Sequence, residues 1–378
     1  MIEIKDKQAC CGCHACVSVC PKHCISMKAD EEGFLYPHVD ASLCVECGRC
    51  EKACPFLHSG ESRMPLKVYA ARNRQLDIRM ASSSGGIFSL LAEEIIRRGG
   101  VVFGARFDKD WNVVHDRTET EKGISAFRGA KYVQSVIGNT YREAKAFLRQ
   151  GRWVLFTGTP CQIRGLYRFL GKNYGNLLTL DTVCHGVPSP LVWQTYLSTL
   201  SCHGEKITSL SMRDKTYGWK QYQMLIQSDS RLLYFGKATH NLYSQGYLAD
   251  LYLRPSCHVC PVKQGRSGSD ITLGDFWGIR RYHPEMDDNR GVSLVLINST
   301  QGMNFFQELD VSCKEATYEQ GLRENPCLER SVPCPDLRQE FWSCFWSEGM
   351  VGVKKYVRKR KKSLWSRIWN RLHKMIIA

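Results

Sequence analysis

The chain has 378 residues, of which 43% are hydrophobic and 24% charged, the composition of an ordinary globular protein with apolar material for two or three domains. This composition excludes wholesale disorder, collagen and coiled coil. The sequence also contains no run of about 18 apolar residues, so we predict no membrane-spanning helix. The net charge is +15, but residues 351–378 carry ten Lys or Arg and no Asp or Glu, so removing them leaves +5. Because the excess charge belongs to the C-terminal tail, we do not expect a nucleic-acid partner.

The N-terminus and the cysteine content bear on the cellular compartment. The chain opens with MIEIKDKQACC and has no apolar segment typical of a signal peptide, so we expect a cytoplasmic protein. Nineteen cysteines in that compartment favour metal ligands over disulfides.

Ten of the nineteen cysteines lie in residues 10–54, where the spacing Cys-x2-Cys-x2-Cys-x3-Cys-Pro occurs twice, 34 residues apart. In this pattern three cysteines of one copy and the last cysteine of the other surround one [4Fe-4S] cluster. We therefore expect two clusters, one held by Cys10, Cys13, Cys16 and Cys54, and the other by Cys44, Cys47, Cys50 and Cys20. A pair of zinc sites is the alternative, but it gives no reason for the third cysteine and the trailing Cys-Pro in each copy. Cys11 and Cys24 fit no ligand position.

Further along the chain, the hydrophobic pattern predicts secondary structure. A short hairpin is expected between the two cysteine copies, and residues 59–67 have the composition of a linker. From Val68 onward, apolar strands alternate with amphipathic helices, which predicts an α/β domain. The predicted strands are 68–72, 101–107, 153–157, 177–183, 270–278 and 292–298, with antiparallel strands in 207–235; the predicted helices are 87–96, 140–149, 162–172, one after Pro190, and helical packing near 301–322.

These patterns divide the chain into four parts. We expect a small ferredoxin-like two-cluster domain over residues 1–58, a linker over 59–67, a larger mixed α/β domain over 68–345 and a basic tail over 346–378. The predicted fold class is thus α/β, in the mixed (α+β) sense.

Four more cysteines stand at informative positions. Cys161 and Cys184 follow predicted strands directly, and Cys257 and Cys260 form a C-x2-C pair. The carboxyl ends of strands in an open α/β sheet are where ligands bind, and a cysteine just before a helix has a favoured thiolate. From spacing alone, a third cluster, a zinc site and buried small side chains all remain possible.

A segment of small residues precedes the first long helix. Residues 82–86, SSSGG, offer backbone amides and hydroxyls that suit a pyrophosphate, although an ordinary helix cap would use the same residues. The sequence has no G-x-G-x-x-G after a strand and no P-loop, so a nucleotide would be held in another way.

Residues 68 to about 300 resemble the family of coenzyme F420 hydrogenase/dehydrogenase beta subunits through SSSGGIFSLL, RGAKYVQS, VLFTGTPCQIRGL, VCHGVPSP, SCHVCPVK and SDITLGDFWG. Residues 1–58 resemble bacterial-type two-cluster ferredoxins. The first resemblance implies an iron–sulfur flavoprotein that binds FAD, with a third [4Fe-4S] cluster at Cys161, Cys184, Cys257 and Cys260. The flavin contacts that it implies are Ser83, Ser84, Gly85, Gly86, Arg128, Lys131, Tyr132, Gln134, Ser135, Thr157, Gly158 and Thr159.

The function implied by this resemblance is electron transfer. Electrons would pass from a ferredoxin-like donor through the clusters to FAD, and on to coenzyme F420 or another organic two-electron acceptor, for example in surface polysaccharide metabolism. The alternative is a non-catalytic electron-transfer subunit that docks to a partner enzyme. No residue is predicted as a catalytic acid or base.

The basic tail is outside this resemblance. Within residues 351–378, a helical stripe predicts an amphipathic helix that lies on an anionic membrane surface, which would place the protein at the inner face of the membrane. A partner-docking helix, an RNA-binding arm and a solvated end are the alternatives. The stripe consists of Trp365, Ile368, Trp369, Leu372 and Ile376.

Overall fold

The computed structural model describes residues 1–201 and 204–357. Its strands are β1 (Ile25–Ala29), β2 (Leu35–Val39), β3 (Lys67–Asn73), β4 (Val101–Phe107), β5 (Val113–Thr118), β6 (Val154–Gly158), β7 (Leu177–Thr182), β8 (Ile207–Asp214), β9 (Gln223–Ser228), β10 (Leu232–Lys237), β11 (Ile271–Asp275), β12 (Ser293–Ile297) and β13 (Val311–Ala316). Its α-helices are α1 (Ala15–Val19), α2 (Arg49–Lys52), α3 (Leu76–Ala81), α4 (Ile87–Arg97), α5 (Glu121–Ile124), α6 (Thr140–Arg149), α7 (Pro160–Leu170), α8 (Pro190–Leu200), α9 (Leu242–Leu248), α10 (Ile279–Tyr282), α11 (Thr300–Gln307), α12 (Tyr318–Arg323) and α13 (Arg338–Glu348).

An eight-stranded mixed sheet forms the centre of the molecule, with the strand order β13-β3-β12-β11-β7-β6-β4-β5. The four central strands β4, β6, β7 and β11 are parallel, and antiparallel strands complete both edges. Because parallel strands end at the same edge of a sheet, the segments that follow β6, β7 and β11 are brought together there. The predicted mixed α/β fold class is confirmed.

The N-terminal segment, residues 1–58, packs against the central sheet through helices α6 and α7. The hairpin of β1 and β2 pairs Ile25 with Val39, as the sequence predicts. Arg142 on α6 donates hydrogen bonds to the carbonyls of Val17 and Ser18. On α7, a Cβ added to Gly165 would lie 3.0 Å from Cys13 Sγ, so the absence of a side chain there allows close approach.

A second core lies beside the three-stranded antiparallel sheet β10-β9-β8. It packs Trp193 of α8 and Tyr243 of α9 against Phe341 and Phe345 of α13. Residues 350–357 are also helical, and Val353 is buried in the same core. The domain boundary that we place after residue 345 therefore lies inside α13, and the chain packs on the body of the protein at least as far as residue 357.

One stretch of the expected secondary structure is wrong. The predicted helical packing near 301–322 is interrupted by β13, which pairs with β3 at the edge of the sheet.

The predicted stripe at residues 365–376 lies outside the described residues. Across the two described ranges, no helix has the length and apolar character needed to cross a membrane.

Candidate functional site

The repeated cysteines of the N-terminal segment lie close to one another in the structure. Cys16 lies near Cys10, Cys13 and Cys54, the other three predicted ligands of its cluster, and also near Cys50 of the second predicted set. A small cavity is lined by all four predicted ligands of the second cluster: Cys20, Cys44, Cys47 and Cys50. The thiol donors present thus suit iron–sulfur clusters. Within the described ranges, no group of three or more His, Cys, Asp or Glu side chains is placed so that it could hold a single metal ion.

The two cysteines without a predicted role lie beside these groups. Cys24 lines the second-cluster cavity, and its Sγ is 3.4 Å from Cys20 Sγ. Cys11 hydrogen-bonds through its thiol with both Cys13 and Cys161, which joins the N-terminal segment to helix α7.

Cys161, Cys184, Cys257 and Cys260 come from three separate segments and converge beyond the carboxyl ends of β6 and β7. The four side chains lie close enough together that a charge on any one of them would act on the other three. Burial raises the pKa of the Cys257 thiol to about 12, and it also raises that of Cys260. Four half-buried thiols around one region are a donor set that fits a [4Fe-4S] cluster.

Hydrogen bonds hold three of these four cysteines in place. The Val187 N–H donates to Cys257 Sγ at 3.4 Å, and the Cys260 N–H donates to Ser331 Oγ at 2.9 Å. The ammonium of Lys263 bridges the carbonyls of Cys184 and Cys327 at 2.6 and 2.8 Å. This lysine fixes the loop after β7 against the segment that precedes Ser331.

A cavity of about 810 Å³ opens next to the four cysteines, and Cys184 forms part of its wall. This volume lies within the range of small-molecule and cofactor sites, roughly 300–1,000 Å³. All of the predicted flavin contacts except Gly85 and Gln134 line it: Ser83, Ser84, Gly86, Arg128, Lys131, Tyr132, Ser135, Thr157, Gly158 and Thr159.

The two exceptions, Gly85 and Gln134, make their contacts outside the cavity. Gly85 packs against the backbone of β3, since a Cβ there would lie 2.4 Å from the carbonyl oxygen of Ala71. The Gln134 amide donates to the carbonyl of Cys11 at 2.9 Å and accepts from Arg254 at 3.0 Å. Gln134 therefore links the cavity segment to the N-terminal segment instead of facing the cavity.

One end of the cavity is suited to an anion. Helix α4 begins there after Gly86, and no side chain caps its first N–H groups. Unpaired N–H groups and the helix dipole favour a phosphate at such an end. Arg128 lies beside it and donates to Ser89 Oγ at 2.9 Å and to Glu93 at 3.3 Å. Burial lowers the pKa of Lys131 to about 7, although its ammonium contacts three backbone carbonyls.

The other side of the cavity holds a buried ion pair. Arg213 Nη1 and Nη2 donate to the two carboxylate oxygens of Asp275 at 2.5 and 3.1 Å. Trp219 Nε1 donates to the same carboxylate at 2.8 Å, and the Trp219 ring stacks on Trp277 at 4.5 Å between centroids. Asp275 is thereby fixed at the end of β11, where it lines the cavity.

Two histidines also line the cavity. His115 Nε2 donates to the Thr157 carbonyl at 2.9 Å, while its buried Nδ1 has no hydrogen-bond partner in the described structure. Burial lowers the pKa of His115 to about 4, which keeps the ring neutral at pH 7. His185 Nε2 lies 2.6 Å from Asp250 Oδ1, so this carboxylate orients the ring beside Cys184.

Comparison with known proteins agrees with this geometry. Residues 151–320 match the family model for the C terminus of the coenzyme F420 hydrogenase/dehydrogenase beta subunit, and residues 9–57 match the 4Fe-4S dicluster domain. Over residues 151–320 the chain is therefore similar to the F420 hydrogenase/dehydrogenase beta subunits. The chain is an iron–sulfur electron-transfer protein related to those beta subunits.

Similar proteins come from methanogenic archaea. An uncharacterized protein of Methanocaldococcus jannaschii is 24% identical and is covered over 88% of its length by 81% of this chain. One subunit of the F420H2 dehydrogenase of Methanosarcina mazei is 23% identical over 47% of this chain and 53% of its own. The coenzyme F420-dependent sulfite reductase of M. jannaschii is 25% identical over 53% of this chain and 31% of its own.

A solved structure is also similar. The F420-reducing [NiFe] hydrogenase complex from Methanosarcina barkeri contains a chain with 18% identity and a TM-score of 0.46, covering 79% of this chain and 93% of that one.

Three residues of this site have no signal in the sequence pattern. Arg213 lies at the end of a strand with little periodicity, 62 residues before its partner Asp275. Arg254 precedes the C-x2-C pair, and its environment is formed by the distant N-terminal segment. His115 lies on β5, a strand that the sequence did not predict. The spacing of cysteines and glycines carries no information about such partners.

Proposed function

We propose that the protein is an iron–sulfur flavoprotein oxidoreductase. The dicluster domain receives single electrons, a third [4Fe-4S] cluster at Cys161, Cys184, Cys257 and Cys260 conducts them, and FAD occupies the cavity and passes electron pairs to an organic acceptor. FAD supplies the conversion between one-electron and two-electron chemistry.

A series of side-chain contacts from the dicluster domain to the cavity supports this proposal. Cys13, a predicted ligand of the first cluster, contacts Cys11, and Cys11 contacts Cys161. Cys161 belongs to the four-cysteine group, and Cys184 of the same group lines the cavity. The predicted redox centres are therefore adjacent in the order in which electrons would travel.

The chain's own residues suit the binding of FAD. The start of α4 and Arg128 face the anion-binding end of the cavity, where a pyrophosphate would bind. The Gln162 amide joins two cavity residues, because it donates to Ser135 Oγ at 2.9 Å and accepts from the Thr159 N–H at 2.9 Å. This link holds the turn after β6 in place at the wall of the cavity.

The acceptor that we propose is coenzyme F420 or another organic two-electron carrier. Two relatives are named for F420, namely the F420H2 dehydrogenase subunit and the F420-dependent sulfite reductase. Mixing reduced protein with F420, and separately with a nicotinamide, and following each absorbance change would identify the class of acceptor.

Iron, acid-labile sulfide and flavin should be measured on the full chain purified without oxygen. We expect about twelve irons and one FAD per chain, since three clusters hold four irons each. The variant Cys260→Ser should lose about four irons and keep the dicluster domain. Its matched control is Cys313→Ser, at an exposed cysteine on the edge strand β13.

About eight irons and no flavin would refute the proposal. An iron content that is the same in Cys260→Ser as in the wild type would refute the third cluster specifically. In either case the dicluster domain would still be a functional electron-transfer module.

A second candidate is an electron-transfer subunit whose partner enzyme holds the substrate. It is favoured because one relative is named as a subunit of a dehydrogenase. Flavin-loaded protein that reduces no small acceptor on its own, and that copurifies with another redox protein, would support this second function.

The tail supports a proposal about location. Val353, Tyr356 and Val357 are buried in the core, so the membrane-binding segment that we consider begins after residue 357. We propose that this segment contacts anionic lipid, and flotation with vesicles containing phosphatidylserine, before and after removal of residues 358–378, tests it.

A further inference from the structure

A strongly basic groove runs along the junction between the dicluster domain and helix α7. It encloses about 980 Å³ and is separate from the cavity that we assign to FAD. Its cations come from three segments, namely α2, the linker and α7 with the turn that follows it: Arg49, Lys52, Arg63, Arg164, Arg168 and Lys172.

These cations are not neutralised by the protein. Throughout the described ranges, none of the six forms an ion pair with a carboxylate; Arg164 and Arg168 donate to the backbone carbonyls of His58 and Lys52. Asp270 is the carboxylate that lines the groove, and its oxygens accept hydrogen bonds from Thr179 and Ser299. The groove therefore presents a concentrated positive field to solvent.

The groove lies beside predicted cluster ligands. Arg49 and Lys52 flank Cys50 on α2, and Cys54 follows two residues after Lys52. Leu57, in the adjoining segment, exposes 61% of its surface to solvent. Positive charge around exposed apolar surface, next to a redox centre, is the arrangement expected of a site where a charged redox protein binds briefly.

We propose that this groove is the docking surface for an acidic one-electron carrier of the ferredoxin class. In the transfer, one electron leaves the carrier's reduced cluster and enters a cluster of the dicluster domain, with no bond made or broken. Opposite charge accelerates the encounter and orients the two proteins. The proposal rests on the proposed function only in taking the dicluster domain as the point of electron entry.

A small anion fits the groove less well than a protein does. Arg49, Lys52, Arg63 and Lys172 are all exposed, and they come from three separate segments of the chain. A phosphate-sized ligand is held by converging and largely buried donors, whereas a folded acidic protein matches cations that are spread apart.

The test is stopped-flow reduction of the full, anaerobically purified chain by a reduced, strongly acidic bacterial two-[4Fe-4S] ferredoxin. We expect the second-order rate constant to fall at least tenfold between low salt and about 1 M salt, where the Debye length is about 3 Å. The triple variant Arg49→Glu/Lys52→Glu/Lys172→Glu should lower the low-salt rate constant at least tenfold and remove most of its salt dependence.

A matched triple variant controls for net charge. Lys122→Glu, Lys237→Glu and Arg323→Glu change the same number of exposed cations outside the groove, and the rate constant should stay within twofold of the wild type. Because Arg49 and Lys52 adjoin cluster ligands, the iron content of each variant is measured. The pair Arg63→Glu/Lys172→Glu, which lies away from α2, provides a second test of the groove.

The outcomes separate the two proposals. Equal slowing by the groove variant and the control variant, or no slowing by either, overturns the docking surface. Saturable binding of inorganic pyrophosphate at one per chain that is lost in the groove variant also overturns it, because the groove would then be a small-anion site. Reduction is followed at the dicluster domain, so the docking result stands whether or not a third cluster and FAD are found.

Discussion

Replacing Arg254 tests whether a buried positive charge sets the reduction potential of the first cluster. Its side chain is 0% exposed. Nε donates to the Cys10 carbonyl at 2.7 Å, one Nη donates to the Leu35 carbonyl at 2.9 Å, and the same Nη is 3.5 Å from Cys10 Sγ. The ring of Tyr36 stacks 4.3 Å from the guanidinium, but no carboxylate of the described residues pairs with it. A buried guanidinium of this kind needs a negative partner, and a cluster bound by Cys10 would provide one.

The expected shift follows from Coulomb's law. A unit charge acting over roughly 7 Å at an effective dielectric constant of about 20 contributes about 2.4 kcal/mol. Since about 1.4 kcal/mol corresponds to 59 mV for one electron, Arg254→Met should lower the midpoint potential of this cluster by about 100 mV. The same variant leaves the carbonyls of Cys10 and Leu35 and the Oε1 atom of Gln134 without this donor, at a cost of about 1–3 kcal/mol of unfolding free energy for each.

A redox titration monitored by electron paramagnetic resonance measures the shift, and Arg254→Lys is the control that keeps the charge. The lysine variant should show less than half of the potential change, although it loses the branched hydrogen bonding of the guanidinium. If Arg254→Met keeps its iron and all its midpoint potentials equal those of the wild type, the electrostatic reasoning is wrong.

Three further predictions concern the cavity and the domain junction. FAD should bind most tightly below pH 7 and weaken by up to tenfold per pH unit above it, because the pKa of Lys131 is about 7 and an anion favours the charged amine; titrations of flavin fluorescence from pH 6 to 9 measure this. Gly165→Ala should displace the thiol that lies 3.0 Å from its new Cβ, cost about 1–3 kcal/mol in urea unfolding and change the spectrum of the first cluster. Asp275→Asn should cost about 3–5 kcal/mol, because it leaves the buried guanidinium of Arg213 without its partner.

Each of these predictions has a matched control. Lys131→Met should make FAD affinity nearly independent of pH, and a slope as steep as that of the wild type would contradict the assignment. Gly175→Ala adds a methyl group where nothing lies within 4 Å, so it should leave the cluster spectrum unchanged. Asp310→Asn removes an exposed ion pair with Arg74 and should cost less than about 1 kcal/mol; a cost equal to that of Asp275→Asn would refute the role of burial.

The sequence predicts the fold well where one segment carries its own pattern. Helix α6 has the predicted bounds, Thr140–Arg149, because its apolar residues recur at helical spacing and face the sheet. Strands β6 and β7 are almost wholly buried, so they appear as short apolar runs. By contrast, β13 is an edge strand with exposed Lys314 and Glu315, so its sequence has no strand pattern. Its strand conformation depends on pairing with β3, which the local sequence does not predict.

In the candidate site, too, some residues are predicted by local sequence patterns and others depend on contacts between distant segments. Cysteines and small residues at strand ends were visible because the chemistry of clusters and phosphates restricts residue type and spacing. Gly85 and Gln134 were assigned to the cavity with their neighbours, but each is taken up by packing between distant segments. Such contacts depend on how β3 and the N-terminal segment meet the sheet, and no local pattern encodes them.

The positive charges near the predicted redox centres differ in their exposure to solvent, and this difference determines how each of them acts. At the surface, the groove cations form no ion pair with a carboxylate of the described residues, so they act on an approaching protein over a distance that salt controls. In the interior, Arg254 is shielded from salt and acts on the cluster itself. The two effects are therefore separable by one experiment: added salt should slow electron entry from ferredoxin while leaving the potential difference between wild type and Arg254→Met nearly unchanged. A potential difference that vanished at about 1 M salt would show that Arg254 acts from a solvated position, against the burial that the structure gives it.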